Sequence, residues 1–312
     1  MPATKTYEAR VGPVPTIEHV DDATLPGMGY WLAPPSQTPV LNVLTIDLED
    51  WPIGVLGPKH AVTGRVVENT KRCLQILQWH HVKATFFVLG KVAERFPELV
   101  KEAHAAGHEI ASHGYEHEPL TTISPECFEH DVRRSIEILQ DIVGERPVGY
   151  RAPAFSIVAS TRWAGPILAE LRFKYSSSVF PIRHRRYGIA DAPRYIHRWE
   201  DCQLIECPLA TVTFFKRNWP VAGGGYFRLL PGSITRQAIR SLNQQNMPAI
   251  LYMHPYELDV AGLRIHRDQG IKFGPMRHLT QQLFRSRIEH RLHRLCEQFR
   301  FTTMRDLLKH DI

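Results

Sequence analysis

The sequence predicts an α/β fold with a parallel sheet that is either barrel-like or open. Short apolar runs of strand length alternate with stretches in which apolar residues recur every three or four positions. This alternation is typical of strand–helix–strand units. The chain has 312 residues, enough for one large α/β domain or two smaller ones. Because neither an internal repeat nor a linker separates two parts, we predict one domain over residues 41–312.

The first forty residues carry many prolines and no periodic apolar pattern. Proline removes a backbone donor and interrupts both helices and strands. We therefore predict an irregular arm over residues 1–40, laid across the surface of the domain, with prolines at Pro2, Pro13, Pro15, Pro26, Pro34, Pro35 and Pro39.

The first half of the domain contains four predicted strand–helix units. Short apolar runs predict buried strands at residues 41–47, 84–89, 108–112 and 148–151. One-sided apolar patterns predict helices at residues 65–79, 92–103, 124–143 and 160–171. Ser124 before Pro125 is typical of a helix start, and Gly107 and Gly144 are typical of the residue just after a helix.

The second half is less regular, with no clear pattern over much of residues 179–232. We predict further strands at residues 174–178, 203–208 and 249–253. Helices are predicted at residues 233–245 and 279–299, the second being long. The run Gly223-Gly224-Gly225 lacks the spacing of a phosphate-binding loop, so we interpret it as a turn where two backbones approach closely.

The charge balance is mildly basic, with a formal net charge of +6. Arginines concentrate at residues 183–186 and 285–294, where a solvated loop and a solvated helix face are the simpler interpretation. A functional alternative is attraction to an anionic glycan, a sugar nucleotide or, through weak peripheral contact, a membrane surface. No nucleic-acid-binding motif accompanies the charge, so we do not expect a nucleic-acid partner.

Cysteine usage and the N-terminal residues indicate the cellular compartment. The five cysteines are scattered and odd in number, which argues against a disulfide framework. Residues 1–15 lack an apolar signal core, and no run approaches the roughly eighteen apolar residues of a membrane span. We therefore expect a cytoplasmic protein.

Polar residues that can perform chemistry follow four of the predicted strands. In a parallel α/β fold these strand ends share one rim. Two imidazoles and a carboxylate there would form an open three-ligand metal site. Zinc fits such a ligand set, and iron, cobalt or nickel would fit it too. The residues at the four strand ends are Asp47, Glu49 and Asp50, then His113 and His117, then Arg151, and finally His254.

In this order the motifs resemble the polysaccharide deacetylase family, carbohydrate esterases with a nodulation-deacetylase-like domain. The resemblance covers about residues 40–305. It is strongest to the branch encoded in bacterial exopolysaccharide and exosortase loci. The shared motifs are Glu49-Asp50-Trp51, Arg151-Ala152-Pro153, Gly-Gly-Gly-Tyr-Phe-Arg at 223–228 and His-Pro-Tyr-Glu at 254–257. The resemblance implies a deformed (β/α) barrel, here with about seven strand–helix units.

The resemblance also implies catalytic roles. Asp47 matches the catalytic base, and Arg151 matches the arginine that pairs with this base and keeps it ionised. His254 matches the general acid. The backbone amide of Ala154 would help to form the oxyanion hole. The family's usual aspartate that orients the general acid has no obvious match, so we assign Glu206, at the end of a predicted strand, to that role.

The same resemblance implies which residues hold the metal. His113 and His117 match the two metal histidines, and they would meet on one face if the segment turns helically. Glu49 is the best match to the metal carboxylate, with Asp50 as the alternative. Four aromatic residues could stack on sugar rings, although packing in the core or in loops explains them equally well; they are Tyr226, Phe227, Trp199 and Trp219.

Three functions are consistent with these features. The leading hypothesis is a metal-dependent sugar N-deacetylase, acting on a lipid-linked or nucleotide-linked saccharide during exopolysaccharide or surface-glycan synthesis. The second is a hydrolase of small cyclic amides, allantoinase-like, or of formyl amides, with or without a metal. The third is an inactive glycan-binding member, which the intact set of motif residues disfavours. A homo-oligomer is compatible with all three.

Overall fold

A curled, mainly parallel sheet forms the centre of the protein. The computed structural model describes residues 39–221 and 223–312, together with the backbone of residues 28–31. The strands of these residues are β1 (Met28–Trp31), β2 (Asn42–Leu48), β3 (Thr85–Val88), β4 (Glu109–Ser112), β5 (Gly149–Tyr150), β6 (Tyr175–Ser176), β7 (His197–Trp199), β8 (Ile205–Glu206), β9 (Thr211–Phe214), β10 (Arg217–Pro220), β11 (Ile250–Met253) and β12 (Phe301–Thr302). The helices are α1 (Arg65–Trp79), α2 (Gly90–Arg95), α3 (Pro97–Ala105), α4 (Pro125–Val143), α5 (Ala164–Glu170), α6 (Gly224–Leu229), α7 (Gly232–Gln244), α8 (Gly262–Asp268), α9 (Pro275–Gln282), α10 (Ile288–Gln298) and α11 (Met304–Leu307).

The sheet has the strand order β1-β7-β8-β6-β5-β4-β3-β2-β11. Every neighbouring pair from β8 to β11 is parallel, whereas β7 and β1 add antiparallel strands at one edge. Strand β12 pairs with the start of β2, and β9 and β10 form a separate hairpin. The predicted fold class, a deformed (β/α) barrel of about seven units, is thus confirmed, since seven strands make the parallel part.

The strands lie where the apolar runs predict them. All seven residues of β2 are buried, as expected for a parallel strand that is covered on both faces. Its register with β3 pairs Asp47 with Phe87, and its register with β11 pairs Ile46 with Met253. The carboxyl ends of these strands therefore lie side by side at one rim.

Two helices lie within one residue of their predicted bounds. Helix α1 covers exactly the predicted residues 65–79. Helix α4 begins after Ser124, whose hydroxyl accepts a hydrogen bond from the amide of Cys127, and ends at Gly144 with φ +80°. This left-handed residue stops the helix, as glycine commonly does.

Two other predicted helices are broken. The helix predicted over 92–103 is divided into α2 and α3 at Phe96, because Pro97 starts the second helix and cannot donate to the first. The long helix predicted over 279–299 is wrong: Phe284 adopts φ +61° and separates α9 from α10. An apolar stripe that continues on both sides of the break hid it from the sequence pattern.

The predicted N-terminal arm falls largely outside the described residues, which include only 28–31 and 39–40 of it. Residues 28–31 form β1, which extends the sheet by pairing with β7. The predicted close approach at the glycine run is present, since a Cβ on Gly223 would lie 1.7 Å from the carbonyl oxygen of Tyr252. Among the described helices, none is both long and apolar enough to cross a membrane.

Candidate active site

Four strand ends bring the predicted polar residues to one rim. Asp47 is in β2 and Glu49 follows it, whereas His113, Arg151 and His254 follow β4, β5 and β11. The parallel registers place these ends next to one another, so residues up to about two hundred positions apart come into contact. The site is therefore a direct consequence of the sheet order.

Asp47 and Arg151 form a buried ion pair. Nη1 of Arg151 donates to Oδ1 of Asp47 and to Oγ1 of Thr45, both at 2.6 Å. The other guanidinium nitrogens donate to the carbonyl oxygen and the hydroxyl of Ser177, at 2.9 and 2.8 Å. The guanidinium also lies over the ring of Phe87, at 4.1 Å. These contacts fix Oδ1 of Asp47 and leave Oδ2 towards the rim, 3.9 Å from His254.

Glu49, His113 and His117 form a cluster suited to a metal. One ligand atom from each lies within 4.8 Å of the others, and all three residues are buried. Oε2 of Glu49 is 2.6 Å from Nε2 of His117 and 3.5 Å from Nε2 of His113, yet it has no hydrogen-bond partner among the described residues. A buried, unpaired carboxylate oxygen facing two imidazoles fits a divalent cation as the shared partner.

The electrostatics of this cluster favour an ionised carboxylate. Burial raises the pKa of Glu49, but the nearby imidazoles of His117 and His113 and the charge of His254 lower this pKa well below its usual range. Metal ligation requires the deprotonated carboxylate. Glu49 is therefore in the charge state that a metal ligand needs.

Backbone contacts orient His113. Its Nδ1 lies 2.8 Å from the carbonyl oxygen of Arg151, and because a carbonyl can only accept, Nδ1 carries the proton. The lone pair of Nε2 then faces Glu49. An outer hydrogen bond of this kind is the usual way in which proteins fix the tautomer of a metal-binding histidine.

A tight loop, not a helical turn, brings His117 to His113. The two rings lie 5.3 Å apart, and residues 113–118 are not helical. Asp131, on α4, accepts hydrogen bonds from the amides of Tyr115 and Glu116, both at 2.8 Å. Gly114 has φ +72°. Asp131 was missed from the sequence because it binds backbone and belongs to an unremarkable amphipathic helix.

Asp50, the alternative metal carboxylate, has a different role in the structure. Oδ1 accepts a hydrogen bond from the amide of Trp51 at 3.0 Å, and Oδ2 accepts one from the amide of Thr63 at 2.5 Å. Burial raises the pKa of Asp50 to about 6, against the lowering effect of these bonds. Both of its oxygens are used by the backbone, so of the two acids only Glu49 joins the histidine cluster.

His254 lies opposite the arginine, above both acids of the rim. Its Nε2 is 3.9 Å from Oδ2 of Asp47 and 3.5 Å from Oε1 of Glu49. Its ring stacks on Tyr256, with centroids 4.7 Å apart. Burial lowers its pKa, but the hydrogen bond to Glu257 and the charges of the surrounding acids outweigh this and raise the pKa to about 9. His254 is thus protonated at neutral pH.

The prediction that Glu206 orients His254 does not fit the structure. Oε1 of Glu206 accepts hydrogen bonds from the amides of Ser178 and Val179, both at 2.8 Å. Instead, Oε2 of Glu257 lies 3.4 Å from Nδ1 of His254 and accepts a hydrogen bond from its backbone amide at 3.1 Å. The spacing of Glu257 from His254 was a usable signal in the sequence. An acid three residues after the first residue of a helical turn commonly accepts a hydrogen bond from the backbone amide of that residue.

Ala154 occupies the segment that follows Arg151. Its backbone is left-handed, with φ +52°, and the residue is exposed. The neighbouring Phe155 packs against Tyr252, with ring centroids 4.7 Å apart, and lies 5.6 Å from the Arg151 guanidinium. The segment therefore borders the rim, and an oxyanion role for the Ala154 amide stays a prediction.

Two of the four aromatic residues considered for sugar stacking are unavailable for it. Trp199 is fully buried and Phe227 is 5% exposed; Trp199 packs against Gly165, where an added Cβ would come within 2.7 Å of its ring. Tyr226 is partly buried, with its hydroxyl 3.2 Å from that of Tyr187. Tyr226 and the exposed Trp219 both line a surface groove. Residue type alone did not reveal which aromatic side chains face inward.

The fold and the rim together define a class: deformed (β/α) barrels with a cluster of two histidines and one carboxylate at the ends of their strands. Residues 51–168 match the polysaccharide deacetylase family model, and residues 177–309 match a domain of unknown function, DUF3473. The match to the polysaccharide deacetylase model therefore covers somewhat more than a third of the chain. The first match includes His113, His117 and Arg151, whereas Asp47 and Glu49 lie just before it and His254 lies in the second.

Two curated relatives match part of this chain at similar sequence identity. Identity is 36% over 102 residues to a peptidoglycan-N-acetylglucosamine deacetylase of Bacillus cereus, covering 32% of this chain and 37% of that protein. It is 35% over 83 residues to a chitooligosaccharide deacetylase of Rhizobium leguminosarum, covering 27% and 35%. The matched region thus spans little more than a third of each relative.

The fold extends further than the sequence similarity. A solved structure of a Mycobacterium smegmatis protein classed with the polysaccharide deacetylases superposes with a TM-score of 0.60 at 22% identity. The superposition covers 90% of this chain and 94% of that one. At this identity the likeness supports the shared barrel fold.

Proposed function

We propose that this protein is a metal-dependent hydrolase that removes the N-acetyl group from a sugar. One observation carries the proposal: the buried Asp47–Arg151 pair, the cluster of Glu49 with two histidines, and the imidazole of His254 meet at one rim. A base, a metal-ligand set and an acid are what amide hydrolysis requires. The relatives named as peptidoglycan and chitooligosaccharide deacetylases support the choice of an acetylated sugar.

The residues present fit a divalent metal. Glu49, His113 and His117 would hold it, and their nitrogen and oxygen atoms suit zinc, with iron, cobalt and nickel as alternatives. When bound, such a metal supplies Lewis acidity, which lowers the pKa of water to about 7 and polarises a carbonyl group.

The chain's own groups would divide the proton transfers between two sides of the rim. Asp47 would take a proton from the attacking water through Oδ2, because Oδ1 is held by Arg151. His254, already protonated, would donate a proton to the leaving amine. The amide of Ala154 would donate a hydrogen bond to the carbonyl oxygen as negative charge develops there.

The biological setting remains part of the proposal. The motifs resembling the exopolysaccharide and exosortase branch support a substrate in exopolysaccharide or surface-glycan synthesis, lipid-linked or nucleotide-linked. The expectations of a cytoplasmic location and of a homo-oligomer stay predictions from the sequence.

Acetate release tests the proposed function. The protein is stripped with a chelator, reloaded separately with Zn²⁺, Fe²⁺, Co²⁺ or Ni²⁺, and incubated with N-acetylglucosamine oligomers. We expect release only after reloading, and a loss of at least about 100-fold in Asp47→Asn and His254→Ala, as for removal of a general base or acid. Asp268→Asn and His290→Ala, at exposed positions, are the matched controls.

Three results would contradict the proposal. Near-normal release by Asp47→Asn would exclude the assigned base. Hydrolysis of allantoin or formyl amides with no release from any acetylated sugar would establish the second hypothesis in its place. Binding of oligosaccharide by the metal-loaded protein without any hydrolysis would instead indicate an inactive glycan-binding protein.

A further inference from the structure

The β9–β10 hairpin carries an aromatic residue that folding does not explain. Phe214 pairs with Arg217, so Phe215 and Lys216 form a two-residue turn, with φ +48° and +57°. Turns with two positive φ values strongly favour Asn-Gly, because a bulky side chain is strained there. Phe215 is nevertheless at the tip, and its side chain is 85% exposed.

Other exposed apolar side chains surround this tip. Phe214 is 59% exposed and Trp219 is 53% exposed, on the same hairpin. Ile234, at the start of α7, is also exposed and lines the same groove, which has a volume of about 1220 Å³. Exposed apolar patches of this kind on a protein surface generally mark a contact with a partner or a membrane.

The charge around the groove indicates which partner. Its described lining includes three cations and neither aspartate nor glutamate; the cations are Arg183, Lys216 and Arg217. The exposed Arg185 and Arg186 continue the positive surface beyond Arg183. Aromatic rings beside lysine and arginine are the combination that binds the interface of an anionic bilayer.

We propose that the β9–β10 hairpin, with Phe214, Phe215 and Trp219, inserts into the surface of an anionic lipid bilayer. The strained turn holds Phe215 at the tip of the hairpin, exposed to solvent, where it can enter the interface. Lys216 and Arg217, next to it in the chain, then lie at the level of the lipid phosphates. A peripheral attachment of this kind requires no membrane-spanning helix.

A short stretch of backbone links the groove beside the hairpin to the strand that precedes His254. Tyr226 lines the groove and lies in α6, which begins at Gly224. Gly223, directly before it, forms a backbone bridge with Tyr252, two residues before His254. If the proposed function is correct, docking through the hairpin would bring the rim close to the head group of a lipid-linked saccharide; the membrane contact itself does not depend on that function.

Vesicle sedimentation of the full chain tests this inference without measuring catalysis. We expect binding to vesicles of phosphatidylcholine with 30% phosphatidylglycerol, and at least about fivefold weaker binding to pure phosphatidylcholine. Phe215→Asn should weaken binding at least about fivefold while keeping or raising the melting temperature, since asparagine suits the turn. The double change Lys216→Glu and Arg217→Glu should abolish the preference for anionic lipid.

Matched controls distinguish binding through this surface from nonspecific adsorption to vesicles. Trp79→Ser removes a side chain that is exposed elsewhere, on α1, and Lys174→Glu with Lys309→Glu reverses two exposed charges elsewhere; both should bind as the wild type does. Equal binding by Phe215→Asn, or no binding to anionic vesicles, would overturn the inference. A dimer detected by light scattering that dissociates in Phe215→Asn would also overturn the inference, because the surface would then be an interface between two copies of the chain.

Discussion

Arg151 illustrates how one buried side chain organises the candidate site. Its guanidinium donates to Asp47, to Thr45 and twice to Ser177, and it packs on Phe87. A lysine has a single ammonium group that cannot replace this planar set of donors. The arginine therefore fixes the position of the Asp47 carboxylate as well as balancing its charge.

Replacing Arg151 should affect both stability and activity. We expect Arg151→Lys to lower the free energy of unfolding by about 2–4 kcal/mol, because buried acceptors lose their donors. Urea unfolding measures this change, and acetate release should fall in parallel. Arg72→Lys, which alters an exposed ion pair with Glu289, should cost less than about 1 kcal/mol. An unfolding midpoint for Arg151→Lys equal to that of the control would contradict the packing argument.

Glu257 and Glu206 can be distinguished by matched variants. Glu257→Gln keeps an oxygen for the amide of His254 but loses the charge beside its ring, so we expect kcat to fall at least about tenfold with KM little changed. Glu206→Gln should weaken the bonds to the amides of Ser178 and Val179 and cost about 1 kcal/mol of stability, with kcat within about twofold of wild type. If Glu206→Gln lowered kcat and Glu257→Gln did not, Glu206 would be the residue that orients His254.

The sequence predicted the residues that follow strands better than those that support them. Asp47, His113, His117, Arg151 and His254 each follow an apolar run, and a parallel sheet gathers such positions. Asp131 contacts backbone amides, which leaves no distinctive pattern of residue types, whereas Glu257 was marked only by its spacing of three residues from His254. Trp199 and Phe227 were considered for sugar stacking, but both are buried. Residue type alone does not show whether an aromatic side chain faces the core or the solvent.

At the scale of elements, the loop between β4 and α4 depends on glycine. An added Cβ at Gly114 would lie 2.8 Å from Oδ2 of Asp131, the carboxylate that holds the loop. Positive φ also makes any other residue strained. The loop carries both histidines of the cluster, so its backbone geometry and its metal affinity should change together.

We expect Gly114→Ala to lower the free energy of unfolding by about 2 kcal/mol, from backbone strain and the contact with Asp131. Metal affinity, measured by competition with a coloured chelator, should fall at least about tenfold. Gly144→Ala provides the control, because its φ of +80° is similar but nothing lies within 4 Å of the added Cβ. It should cost about 1 kcal/mol and leave metal affinity unchanged; equal effects of the two variants would exclude the role of Asp131.

Among the elements, strands were more predictable than helix breaks and hairpins. The longer parallel strands β2, β3 and β11 are buried along their whole length, so their apolar runs predict them well. The break at Phe284 depends on one left-handed residue, which no periodic pattern signals. The β9–β10 hairpin was missed because it lies outside the main sheet, largely exposed and without the usual Asn-Gly turn.

At the scale of the whole molecule, buried histidines should make the fold sensitive to acid. Burial lowers the pKa of His108, His197 and His266 to about 4, against about 6.5 in an unfolded chain. Between these values the unfolded state binds more protons, so stability falls as pH decreases from about 6.5 to about 4. Below about 4 these three residues add no further slope.

Urea unfolding between pH 7 and pH 4 measures this effect. His108→Asn should reduce the slope, because its oxygen can replace Nδ1 as acceptor for the Ala84 amide but does not titrate. Between pH 7 and pH 4, the free energy of unfolding of the variant should fall by about 1–3 kcal/mol less than that of the wild type. His290→Ala, at an exposed position, should keep the wild-type slope. Identical slopes in all three proteins would contradict the assignment.

The pairing of β11 with β2 has a consequence for the newly made chain. Asp47 and all three residues of the ligand cluster come from the first half, but His254 joins them only when Ile250 aligns with Val43. During translation the early strands can assemble while His254 is still inside the ribosome. If the proposed function is correct, the nascent polypeptide should therefore stay inactive until the strand that precedes His254 has left the ribosome and paired with β2.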